Sequence, residues 1–221
     1  MTAAANRGIS RFIHRAMFSA PGDEDRPSRN LLQRAFESLE HRRAVRIARR
    51  LRKHLRPGET VLDLGCGSLR VAAEIEKKVP VRAVGLETMV HRRSAIPLVL
   101  FAGGQAPFKD RSFDCVLIGF VLHHCLDGGI EVLREARRLA REKILLLEDR
   151  YDNAFERVIT RLADRTLNWM ENPDTPTPCR FRSSEEWQAL FRRLELRLVA
   201  TETMRTTPVL ETRQLLFVLK P

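Results

Sequence analysis

Twelve residues, VLDLGCGSLRVA at Val61–Ala72, constrain this chain more than any other stretch. Val61, Leu62 and Leu64 are strand formers, a Gly65-Cys66-Gly67 turn follows at once, and a helical pattern begins beyond it. Glycine is needed where backbone turns sharply and lies against a ligand, because a Cβ would occupy that space. A strand, a glycine turn and a helix start in succession make a nucleotide-type site. Asp63 near the strand end and Glu87 at the end of the next strand are the two carboxylates such a site would use.

Alternation of strand and helix signals continues from there. Thr60–Leu64, Val81–Leu86, Leu98–Phe101, Phe113–Ile118 and Lys143–Leu147 read as strands, with helices over Leu69–Lys78, before Pro97, and over Gly129–Arg141. Such alternation implies a parallel sheet with right-handed crossovers. Asn153–Trp169 reads as helix, and Asn172–Pro178, with three prolines, as loop. Ser183-Ser184-Glu185-Glu186 is a capping box opening a helix through Arg193. Leu194–Thr203 and Thr212–Leu219 leave no room for a crossover helix, so an antiparallel edge hairpin is expected.

The chain has 221 residues, 43% hydrophobic and 30% charged, which suits one soluble domain with an extension. Its longest apolar run, Cys115–Leu122, falls well short of the roughly 20 residues a membrane-spanning helix needs. Cys66, Cys115, Cys125 and Cys179 form no CxxC pair, so free thiols in a reducing compartment are expected, and no metal site. Of the net charge of +11, residues 1–56 carry +9, from fourteen Lys and Arg against five Asp and Glu. Ile9, Phe12, Ile13, Ala16 and Met17 share one helical face, so residues 7–18 read as a short basic amphipathic helix. That segment suits an anionic membrane surface, packing on the domain, or an organellar transit peptide. Ser28 caps a second helix running to about Leu55, with an apolar face of Leu32, Phe36, Leu39, Ile47, Ala48, Leu51 and Leu55. The expected division is 1–56, a basic helical extension, and 57–221, the main domain, with a lid-like insertion at 152–182.

Three features in order carry a family resemblance: LDLGCG, then Glu87 in VRAVGLE, 22 residues after Gly65, then PFKDRSFDCVLIGFVLHH at Pro107–His124. Over roughly residues 55–150 the chain resembles a class I S-adenosylmethionine-dependent methyltransferase of the type 11-like group, and its last two strands do so more loosely. The resemblance implies an α/β, Rossmann-like, doubly wound sheet of seven strands, mostly parallel with an antiparallel C-terminal edge strand, plus the N-terminal helices. It implies S-adenosyl-L-methionine as cofactor. The turn at Gly65, Cys66 and Gly67 would offer N–H groups to the methionine carboxylate, and Glu87 would accept from both ribose hydroxyls. Asp63 would orient the turn or the cofactor's amino group. Gln105 would reach the adenine through its amide. Gly119 would leave space beside the sulfonium, with Phe120 and His123 lining the methionine side. Three positions depart from the family pattern. Leu69 replaces its third glycine, putting a side chain where the helix approaches the cofactor; Ala102 falls where an acid is expected; Glu87 stands where Asp is commoner.

Methyl transfer from a sulfonium is an in-line displacement, so alignment and exclusion of water do most of the work. A base is needed only for an acceptor proton of high pKa. His124 and Asp149 are the candidate catalytic residues; packing and hydrogen bonding for the histidines, and a solvated loop charge for Glu148-Asp149-Arg150, are the alternatives. Tyr151 and Trp169 line an acceptor pocket or pack in the core. The expected reaction is methylation of a small, hydrophobic or lipid-like acceptor by a cytoplasmic or membrane-peripheral enzyme. Two other readings stay open: an RNA methyltransferase using the basic extension, with nucleic acid as partner, and a non-catalytic scaffold that keeps the fold.

Overall fold

In a computed structural model the described residues are 27–88, 94–101, 104–125, 127–150, 181–204 and 213–221. The expected helices at 7–18 and Asn153–Trp169, residues 89–93 before Pro97, Ala102, Tyr151, and nearly all of the 152–182 insertion lie outside them. The elements are α1 (Pro27–Leu51), β1 (Thr60–Leu64), α2 (Arg70–Glu76), β2 (Arg82–Glu87), β3 (Leu98–Leu100) and β4 (Phe113–Gly119). They continue with α3 (Ile130–Leu139), β5 (Ala140–Arg150), α4 (Ser184–Arg193), β6 (Arg197–Met204) and β7 (Arg213–Lys220). Among the described residues no helix is long and apolar enough to cross a membrane.

The seven strands form one sheet in the order β3-β2-β1-β4-β5-β7-β6. β1 lies between β2 and β4, parallel to both, and β4 pairs parallel with β5. Chain order therefore reverses between β1 and β4, and a crevice opens there at the carboxyl ends of the strands. The expected closing hairpin forms: β7 is antiparallel to β5 on one side and to β6 on the other. β5 is longer than its apolar run, because it pairs with β4 from Ala140 and with β7 out to Arg150.

Strand alternation sorts the core into two layers. Ile144 and Leu146 of β5 and Leu215 and Phe217 of β7 join α3 and α4, where Trp187, Phe191 and Phe217 pack ring against ring. Leu145, Leu147, Leu216 and Val218 face the opposite way, onto Ile47, Ala48 and Leu51 of α1 and Ile75 of α2. The C-terminal half of α1 is thus built into the sheet's core. It ends at Leu51, with one 3-10 turn at Arg52–His54 before Pro57-Gly58, where Gly58 has φ +86°. The capping box is complete: Glu186 N donates to Ser183 Oγ at 3.3 Å, and Ser183 N donates to Glu186 Oε2 at 2.7 Å.

Candidate active site

At the end of β1 the glycine turn makes a tight approach. A Cβ on Gly65, where φ is +74°, would lie 2.5 Å from Val121 Cγ2, so glycine is what lets β1's exit touch β4's. The amides of this turn point inward. Gly65 N donates to Leu86 O at 2.8 Å, Cys66 N to the same oxygen at 3.4 Å, and Gly67 N to Glu87 Oε2 at 3.0 Å. The expectation that these three N–H groups stand ready for a cofactor carboxylate is therefore corrected. They hold the turn to β2, because β2 runs alongside and its terminal carbonyl and carboxylate are the nearest acceptors. The Cys66 side chain also turns away from the crevice and packs with Leu69, Ala72 and Ala83, where burial pushes its thiol up.

Leu69 supplies a second correction. Its side chain is buried beneath the turn and does not stand where the helix approaches the crevice. A Cβ on Gly85 would lie 2.5 Å from Leu69 Cδ2, so β2 provides, by lacking a side chain, the room that Leu69 takes. The cost is a left-handed backbone at Leu69, φ 59°, where α2 begins.

The two carboxylates meet above this turn. Asp63 is 4% exposed and Glu87 8%. Burial, then the neighbouring Glu87 charge, pushes Asp63 up to about 7. Among the described residues no basic side chain pairs with either acid. Glu87 accepts from Gly67 N through one oxygen, and through the other from Thr88 N at 2.7 Å and Thr88 Oγ1 at 3.0 Å. A carboxylate has about four acceptor positions, so one remains for a ligand hydroxyl. A Cβ added at Gly67 or at Gly119 would meet nothing within 4 Å, so both glycines border open space. A buried acidic pair without cations beside such space fits a ligand carrying hydroxyl donors and positive charge. S-adenosylmethionine, with its ribose diol, ammonium and sulfonium, has that donor set.

Around the exit of β4, Phe120 is half-buried with φ 60°, its N donating to Leu147 O at 2.9 Å. His123, expected to line the methionine side, is instead 2% exposed and turned inward. Its Nδ1 lies 2.6 Å from Glu148 Oε2, and Leu122 N donates to Glu148 Oε1 at 2.7 Å. The His123 ring stacks on Phe181 at 5.0 Å and lies 3.9 Å from the half-buried His124 ring. Glu148 is buried, so the solvated-loop reading of that charge falls away. Asp149 continues the alternation of β5 to the α1 side. It accepts from Gln214 Nε2 at 2.9 Å, and burial raises it against the opposing influence of His123, Gln214 and Arg43. Gln105 is exposed, on a loop that α3 pins through Ala106 N to Glu135 Oε1 and Arg138 Nη1 to Phe108 O, both within 2.8 Å. The structure thus gathers Asp63, Gly65, Gly67, Glu87, Gly119, Phe120 and Asp149 at the carboxyl ends of the strands, and leaves the Gln105 side chain in solvent. Gln214 and Arg43 lie outside every motif of the sequence.

A family model described as a methyltransferase domain matches residues 35–201, more than half of the chain. An uncharacterised protein of Methanocaldococcus jannaschii is 28% identical over 120 residues, which are 50% of this chain. The match spans only 45% of that relative's length. Two solved structures show the same fold. The Burkholderia thailandensis 1,6-didemethyltoxoflavin-N1-methyltransferase, solved with 1,6-didemethyltoxoflavin and S-adenosylhomocysteine bound, aligns with TM-score 0.59. It is 17% identical, over 92% of this chain and 93% of that one. A chain from the complex of the Haloferax volcanii Trm112 methyltransferase activator with its methyltransferase aligns with TM-score 0.58. It is 18% identical, over 75% of this chain and 84% of that one. With the family model spanning the glycine turn, both acids and the exits of β4 and β5, this chain belongs to the class I S-adenosylmethionine-dependent methyltransferases.

Proposed function

We propose that the protein methylates a small, largely apolar acceptor bound between the exits of β4 and β5. The observation that carries this reading is the buried Asp63–Glu87 pair, unneutralised by any described side chain and bordered by open space at Gly67 and Gly119. When bound, S-adenosylmethionine supplies an activated methyl group on a sulfonium. Glu87 would accept from a ribose hydroxyl through its remaining acceptor position, and Asp63 would face the cofactor's positive charge. Gly119 would leave room beside the reacting centre, and Phe120 and Val121 would wall it with apolar surface. Alignment and exclusion of water then lower the barrier. Asp149 takes the acceptor's proton: burial makes it a stronger base than an exposed aspartate, and Gln214 fixes its orientation. Through Glu148, His123 braces the segment that carries His124, which stands half-buried at the mouth.

Isothermal titration with S-adenosylhomocysteine is expected to show one saturable site. A folded protein that gives no heat would favour a scaffold instead. Incubation with methyl-labelled cofactor then separates acceptor classes: label extracted into organic solvent supports the small apolar acceptor, and label that precipitates with RNA supports the alternative. That second reading rests on the +9 charge of residues 1–56 and requires binding that falls steeply with salt. Attachment to a membrane through residues 7–18 of an otherwise cytoplasmic protein is tested by flotation with anionic liposomes.

A further inference from the structure

Arg43 reaches the same crevice from α1, far outside the motifs of the cofactor site. The buried face of α1, Ala44, Ile47, Ala48 and Leu51, fixes the helix against the sheet and leaves Arg43 at the carboxyl ends of the strands. Its guanidinium carbon lies 4.3 Å from the centroid of the Phe120 ring. Phe120 follows Gly119 directly and holds a left-handed backbone, so its ring is presented at the β4 exit. Asp149 senses the Arg43 charge from the neighbouring strand.

The surroundings of Arg43 do not satisfy it. The side chain is 22% exposed, and Nε is buried without a hydrogen-bond partner. Among the described residues the one carboxylate within ion-pair range is Glu40, 3.8 Å from Nη1 and one turn back on the same helix, too far for a hydrogen bond. A guanidinium presents five N–H donors in a planar fork suited to two oxygens. A surface arginine that only stacks on a ring keeps Nε in water, whereas a desolvated N–H without an acceptor is costly and rare in a folded protein. A ligand oxygen at this place would complete the fork while its apolar body lay on Phe120 and Val121.

We propose that Arg43 is the receptor for an oxyanion on the acceptor, so that the acceptor is a small amphiphile with an apolar or aromatic body and a carboxylate, phenolate or enolate oxygen. The inference rests on the methyltransferase reading above and deepens it. Arg43 then determines specificity, with Asp149 on the same side of the sheet and close enough to feel its charge. The N-terminal helix is thereby part of the acceptor site.

The test uses the full chain saturated with S-adenosylhomocysteine, with benzoate and its neutral isostere benzamide as probes, followed by calorimetry or ligand-observed NMR at constant ionic strength. Benzoate is expected to bind saturably and at least about tenfold more tightly than benzamide. Arg43→Met is expected to weaken benzoate about tenfold or more, while leaving benzamide, S-adenosylhomocysteine affinity and the melting temperature near wild type. Arg43→Lys, which keeps charge and loses the fork, should fall between them. Equal binding of the two probes, no saturable benzoate binding, or benzoate affinity unchanged in Arg43→Met would each overturn the assignment. Failure of the wild type to take S-adenosylhomocysteine would instead remove the methyltransferase reading and this inference with it.

Discussion

Glu59 and Asp63 stand four residues apart on one run of chain, at opposite ends of the same strand, and meet opposite fates. Burial alone would push Glu59 up, but Lys143 Nζ at 2.7 Å and Arg56, through N at 3.1 Å and Nε at 2.7 Å, outweigh it. The group is held below the usual carboxylate range. Nearby, Asp114 is held down by Thr60 N at 2.9 Å and Oγ1 at 2.8 Å, with Arg141 also paired to it. At the carboxyl end Asp63 meets Glu87 instead of a cation and rises to about 7. The end that holds the sheet together neutralises its acids within the chain. The end that faces the crevice leaves them for a ligand to neutralise.

The largest effect expected from breaking this contrast is at Glu59. Glu59→Gln leaves the mostly buried Lys143 without its partner and should cost about 3–5 kcal/mol in urea unfolding. S-adenosylhomocysteine affinity should stay within about twofold, and a parallel loss of affinity would show that the two ends are coupled. Next comes Glu87→Ala, which should weaken S-adenosylmethionine binding by about 1.5–3 kcal/mol for each charged hydrogen bond lost; an unchanged dissociation constant by titration would refute the ribose role. Gly85→Ala should cost about 2 kcal/mol by driving a methyl into Leu69 and Cys66. In a Leu69→Ala background the same substitution should cost less, since the nearer of the two struck atoms is gone, and an additive double-mutant cycle would contradict that fit. Smallest is a pH effect on Asp63. Its proton is released as pH rises through about 7, and the ionised form is the one that attracts the cofactor's positive charge. Cofactor affinity should therefore be about tenfold higher at pH 8 than at pH 6, and Asp63→Asn should flatten that dependence.

What could be read from the chain alone follows how local each cause is. The strand–turn–helix at Val61–Ala72 announces itself because strand propensity, glycine and helical spacing sit within twelve residues. The capping box at Ser183–Glu186 needs only its own four positions. The antiparallel hairpin at the sheet's end follows from the lack of residues for a crossover, though not its order, since the C-terminal strand β7 lies inside β6 and not at the edge. By contrast, the turn's amides point to Leu86 and Glu87 only because β2 lies beside β1, and nothing in the glycine spacing specifies that. Leu69 looks misplaced until Gly85, on another strand, is seen to make room for it. His123 pairs with Glu148 across 25 residues, and Arg43 finds Phe120 only after α1 has docked. Gln105 offers an amide near the place where the resemblance expects an acid, yet the anchoring of its loop by Glu135 and Arg138 leaves its side chain at the surface.

The place of β7 bears on how the chain is made. It comes after β6 in synthesis yet lies inside it, between β5 and β6, with Ile144 to Arg150 on one flank and Arg197 to Met204 on the other. A ribosome that has already delivered β6 has therefore produced a sheet in which the β7-facing edge of β5 is still bare and β6 has nothing to pair to. Those unsatisfied edges persist until the Arg213–Lys220 segment clears the exit tunnel. Premature termination just before it would yield a sticky, aggregation-prone product, a natural client for chaperones during translation.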